Sequence, residues 1–117
     1  MRFHQLEMFA GDREAAKALL VKALEFVPHA VDPRIRLVQM LLDEGDPEAG
    51  LKVALKGVEL APDATSLLVA AGKAYMDARQ PAEAVAIFRQ VAERLPRSEE
   101  ANFLLGQAAI ALSLIHI

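Results

Sequence analysis

Apolar positions recur three and four residues apart along most of the chain, the spacing that gathers them on one face of an α-helix. Ala16, Leu19, Leu20, Ala23 and Leu24 form one stripe, and Gly50, Val53, Ala54, Gly57 and Val58 a second. Ala84, Ile87, Phe88 and Val91 form a third. The segments between them carry stripes of their own and predict helices over about 33–44, 65–78 and 99–114.

The punctuation repeats as well. Pro28, Pro62 and Pro96 stand 34 residues apart, and so do Gly11-Asp12, Gly45-Asp46 and Arg79-Gln80, which predict a turn before each of the three stripes. A proline drives the residue before it away from helical dihedrals, so the three prolines end the three striped helices. Asp32-Pro33 and Asp46-Pro47 put a carboxylate where it caps free amides and a proline where no intrahelical bond is needed. Ser98-Glu99-Glu100 supplies a hydroxyl cap and two negative charges at a positive helix end. Connections of about three to six residues force antiparallel helix pairs. The 117 residues then hold about three and a half units in one domain: a degenerate unit over 1–30, units over 31–64 and 65–98, and a half unit with a tail over 99–117.

The clearest unit, 65–98, carries Leu68, Ala71-Gly72 and Tyr75 in its first helix and Ala84, Phe88, Val91 and Pro96 in its second. The unit before it has Arg34, Leu37-Val38 and Leu41, then Gly50, Ala54, Gly57 and Pro62. The first shows Ala16, Leu20, Ala23 and Pro28 behind a poorly matched helix over about 2–10, and the last keeps Asn102, Leu105-Gly106 and Ala109. In these positions, over about residues 11–112, the chain resembles the tetratricopeptide repeat family. That family's unit has the pattern W-x2-L-G-x2-Y, then A-x3-F, then a small residue and Pro. The resemblance implies an all-α, right-handed superhelical solenoid of antiparallel helix pairs whose first helices line an inner surface where peptides or folded partners dock.

Carried onto this chain, that surface is Ile35, Gln39 and Leu42, then Val69, Lys73 and Met76, then Phe103, Gln107 and Ile110. Each triplet has the i, i+4, i+7 spacing of one helical stripe, giving an apolar groove with isolated polar anchors. The competing reading sends several of these residues into an end cap or onto surface with no role. Some family members clamp peptide carboxylates with Lys, Arg and Asn on these helices. Here Ile35, Val69 and Phe103 stand where a polar clamp is expected and Lys73 is the plausible anchor, so an apolar or mixed helical ligand fits better. Gly72 and Gly106 are expected to permit close helix approach, and Gly50 and Gly57 likewise, at a helix-weakening cost of about 1 kcal/mol each. Tyr75 offers ring area with its hydroxyl near a partner.

Composition narrows the functional classes. Hydrophobic residues make up 54% of the chain, with five Phe, one Tyr and no Trp, and the Ala- and Leu-rich balance favours packed helices over sheets. Thirteen Lys and Arg against sixteen Asp and Glu give a net charge of -3 with both signs dispersed, so the basic track that nucleic acid needs is missing. Without Cys there is no thiolate nucleophile, Cys-ligated zinc or disulfide. The first residues do not read as a signal peptide, which favours the cytoplasm, with the periplasm open if a signal segment is missing.

Residues 101–117 carry no Asp, Glu, Lys or Arg. A spanning helix needs about twenty mainly apolar residues, and Asn102, Gly106, Gln107 and Ser113 break the apolar face, so direct membrane insertion is not expected. This helix instead continues into further repeats, packs back on the preceding pair, pairs with another chain, or ends in a tail over 114–117 with no evolved purpose. A homodimer through the terminal apolar helix therefore stands as the second functional reading beside an interaction scaffold.

Catalytic chemistry finds no constellation. His4, His29 and His116 are isolated, and His4 with Glu7 makes too few ligands for a closed metal site. Ser66, Ser98 and Ser113 have no base and orienter at recognisable spacing. Asp43, Glu44, Asp46 and Glu48 lack the full EF-hand series and read as a solvated turn, while Gly45 and Gly72 belong to no phosphate loop. Arg89, Arg94 and Arg97 form either a local anionic-partner patch near Lys73 or an ordinary charged face. The sequence thus implies no enzyme, cofactor or metal, but a protein-interaction module that family analogy and Ala-rich composition place in a larger, bacterial-type assembly.

Overall fold

A computed structural model describes the backbone of residues 2–115 and the side chains of residues 11–115. Six helices follow one another: α1 (Arg2–Phe26), α2 (Val31–Asp43), α3 (Pro47–Leu60), α4 (Thr65–Asp77), α5 (Pro81–Arg94) and α6 (Glu99–Ile115). Each packs mainly on its neighbours in sequence, and α2 also meets α4 across α3. The described residues contain no strand. The radius of gyration is 15.8 Å and the extents are 47 × 34 × 23 Å. A compact domain of this length would have a radius near 13 Å, so the chain is an elongated stack.

The core is correspondingly divided. Val38, Ala54, Ala70 and Ala71 close one layer with Leu42, Val53 and Val58 against them. Ala84, Val85, Phe88 and Ala108 close the next, flanked by Tyr75, Met76, Leu104, Leu105 and Leu112. Leu68, Val91 and Ala101 close a third, with Val58, Val69, Ile87 and Ala92 against them. Small residues dominate, so helix axes approach closely and little aromatic volume is needed. At Gly72 an added Cβ would lie 2.6 Å from Cζ of Phe88, so only glycine lets that ring lie flat on α4.

The turns show which sequence signals act. Gly45 has φ +79° and Arg79, one repeat later, φ +61°; each is followed by a residue outside helical dihedrals and then by a proline at the first position of the next helix. Gly11 lies at the same register, yet α1 runs straight through it, so the turn expected at Gly11-Asp12 and the separate helix over 2–10 are corrected to one continuous helix. The physical reason is Arg13, which stands where Pro47 and Pro81 stand in the later units. Without that proline nothing removes residue 12 from helical dihedrals.

The three striped helices end where expected. Val27, Ala61 and Leu95 precede the prolines, and the latter two have non-helical dihedrals. Caps divide: Asp46 Oδ1 accepts from the Ala49 amide at 3.2 Å and Ser98 Oγ from the Ala101 amide at 3.1 Å. Asp32 does not cap. Helix α2 starts one residue before it, with Ala30 in extended conformation at the N-cap, so Asp32 contributes charge in the first turn instead.

Candidate binding groove

Helices α2, α4 and α6 are the first helices of successive units, and their facing side chains line one groove of about 740 Å³. Val38, Ala70 and Phe88 form its buried floor. Eight of the nine residues singled out from sequence line it: Ile35, Gln39, Leu42, Val69, Lys73, Met76, Gln107 and Ile110. Phe103 does not. Its side chain is 64% exposed and lies outside the groove, where Leu104, one residue on, points in instead. On α6 the groove is lined by Leu104, Gln107, Ile110, Ala111 and Leu114. The i, i+3, i+7 spacing from Leu104 carried that signal, but the strict 34-residue register from Val69 pointed to Phe103.

Groove polarity is uneven. Gln39, Lys73 and Gln107 make a polar row across the middle, one from each inner helix. Lys73 Nζ lies 3.9 Å from Glu100 Oε1, both side chains half or more exposed. Asp43 and Asp77, the last residues of α2 and α4, stand one repeat apart at one end of the groove. Asp43 Oδ2 is 3.7 Å from Nη2 of Arg13 on α1. Arg89, Arg94 and Arg97 line no part of the groove with Lys73; Arg94 Nη1 instead donates to Thr65 Oγ1 at 3.4 Å.

One residue that holds the groove in place was not singled out from sequence for this role. Arg34 occupies the position where the repeat pattern has tryptophan, and it is 6% exposed. Its Nη1 donates to the Val53 carbonyl at 3.0 Å and its Nη2 to the Pro28 carbonyl at 2.8 Å, tying α2 to α3 and to the preceding turn. Its Nε donates to no acceptor among the described residues, and burial lowers its pKa from the ordinary arginine value. Gly57 makes room: a methyl there would collide with Arg34 Cδ.

Other expectations sort as follows. Gly106 was expected to allow close approach as Gly72 does, but nothing among the described residues lies within 4 Å of where its Cβ would be. Gly50 does face α2: an added Cβ there would lie 3.0 Å from Leu42 Cδ2. Tyr75 is half-buried in the second core layer. The described residues hold no group of three or more metal-ligating side chains, and no helix among them is long and apolar enough to cross a membrane. The side chains of His4 and Glu7, and His116 with the last tail residue, lie outside the described residues.

Stacked antiparallel helix pairs, a core divided into layers and a groove lined by alternate helices define a helical repeat protein. Residues 69–114 match the family model of the tetratricopeptide repeat. The matched segment runs from the groove wall of α4 through α5 to that of α6. No curated protein matches the chain. Tetratricopeptide repeats generally mediate protein–protein interaction and are typically non-enzymatic.

Proposed function

We propose that this chain is a protein-interaction scaffold that binds a peptide or helix in the groove between α2, α4 and α6. The observation that carries this reading is the convergence of Ile35, Leu42, Val69, Met76 and Leu104 on one open, mainly apolar trough crossed at its middle by a row of Gln39, Lys73 and Gln107. An apolar stripe on a ligand helix finds aliphatic partners there, and the polar row offers two amides and an ammonium to fix its register. The test is binding of a synthetic amphipathic helical peptide by the chain and by Met76→Asp. The scaffold reading expects Met76→Asp to weaken binding about tenfold or more, because the carboxylate must be desolvated beneath the ligand. Unchanged affinity with the fold intact contradicts it.

A second reading, homodimerisation through a terminal helix, is supported by the uncovered side of α6. Phe103, Ile110, Leu114 and Ile115 are each more than 60% exposed, and Gly106 is open. Covering such a face stabilises an association. Light scattering across protein concentration distinguishes it: a mass rising to twice 12.7 kDa supports pairing, and a constant monomer mass contradicts it.

A further inference from the structure

We propose that the groove selects a cationic partner: an amphipathic segment whose apolar stripe is flanked by a basic side chain seated against Asp43 and Asp77. This rests on the scaffold reading and adds the sign of the ligand's charge. Helices α2 and α4 both end on an aspartate that lines the groove, one repeat apart. Each carboxylate therefore adds to the negative end of its own helix dipole, and the two helix ends lie side by side in the stack. The third inner helix has Ala111 at this register, so the acidic end belongs to the α2–α4 wall while the α6 wall is aliphatic through Ala111 and Leu114.

The cations nearby neutralise this end only in part. Among the described residues, Lys73 is the only basic side chain lining the groove, and Glu100 already faces it at 3.9 Å. Arg13 reaches Asp43 at 3.7 Å across exposed side chains, longer than a charge-assisted hydrogen bond, and a ligand guanidinium would replace it at closer range. Asp77 has no ion-pair partner among the described residues. A ligand burying the apolar trough also removes water from around the two carboxylates, which strengthens a matched charge and penalises a mismatched one. An acidic peptide tail, the ligand of a basic clamp, is disfavoured by the same geometry.

The experiment uses two fluorescent synthetic peptides of about sixteen residues, long enough to present four helical turns. Both carry the same Leu/Ile stripe at i, i+4 and i+7; one is flanked at both ends by Arg and the other by Glu. Fluorescence anisotropy with the full chain is expected to give about fivefold tighter binding for the Arg peptide at moderate salt, a preference widening as salt is lowered. The double variant Asp43→Lys, Asp77→Lys changes two exposed positions, and circular dichroism checks that it is helical; it is expected to reverse the order. Equal affinities for the two peptides, or a preference for Glu, overturn the cationic-partner inference while the groove reading stands. If the chain binds neither peptide, or Met76→Asp binds both as tightly as the unaltered chain, the groove reading itself fails and this inference with it.

Discussion

Arg34 and Gly57 act as one unit: the guanidinium bridges two backbone carbonyls only because the facing helix has no side chain beneath it. Replacing Arg34 with Ala leaves the Val53 and Pro28 carbonyls short of a donor and opens a void, with an expected loss of about 2–4 kcal/mol in urea unfolding. The two glycines of the repeated Leu-Gly position separate packing from propensity. Gly72→Leu drives a side chain into the Phe88 ring and is expected to cost about 3 kcal/mol, far more than a change at exposed Lys52. Gly106→Ala meets open space on a helix surface and is expected to stabilise by roughly 0.5–1 kcal/mol. Thermal melting of the pair checks both signs. The repeat pattern placed both glycines at one register but carried no information on whether a neighbouring helix was there to be approached, which is why Gly106 was misread.

Element ends follow local chemistry where that chemistry is complete. Gly45 and Arg79 share the left-handed turn, so Gly45→Ala should lose about 1 kcal/mol and Arg79→Gly should recover up to a similar amount, read by denaturant midpoints. Ser98→Ala should cost about 1 kcal/mol through the lost cap, whereas Asp32→Ala should leave capping untouched. Most of the fold was legible at this scale: prolines, caps and apolar stripes placed five helices to within a residue or two. Helix α1 was not, because its turn had the right dipeptide and lacked the proline after it.

Over its described side chains, residues 11–26, helix α1 is held to α2 by Arg13 against Asp43 and by Lys17, whose ammonium lies 2.9 Å from Glu44 Oε2. Glu44 first, then Glu14, raise the Lys17 pKa, outweighing desolvation. A raised folded pKa means this tie is present throughout neutral pH and is lost only as alkali passes that pKa. Salt, not pH, is therefore the lever near neutrality: α1 amides should exchange faster at high ionic strength while α4 and α5 amides do not.

At the scale of the whole molecule, stability is a sum of layers rather than one core, so protection should peak in α4 and α5, each packed on both sides, and fall toward α1 and α6. The same layering builds the groove, since stacking the units brings α2, α4 and α6 side by side. Groove membership was legible from the register for α2 and α4, where Ile35, Gln39, Leu42, Val69, Lys73 and Met76 all line it. It slipped by one residue on α6, which packs on one side alone and presents Leu104 in place of Phe103. The acidic end is not legible in the sequence, because Asp43 stands among acidic turn neighbours and Asp77 carries no motif of its own.

The central claim is that ligands bind between the inner helices. Amide shift mapping by NMR on addition of the Arg-flanked amphipathic peptide tests it most directly. Groove binding predicts perturbations concentrated at Ile35, Gln39, Leu42, Val69, Lys73, Met76, Leu104 and Gln107, with α3 and the outer face of α5 quiet. Perturbations confined to α3 and α5, or absent at saturating peptide, would contradict it.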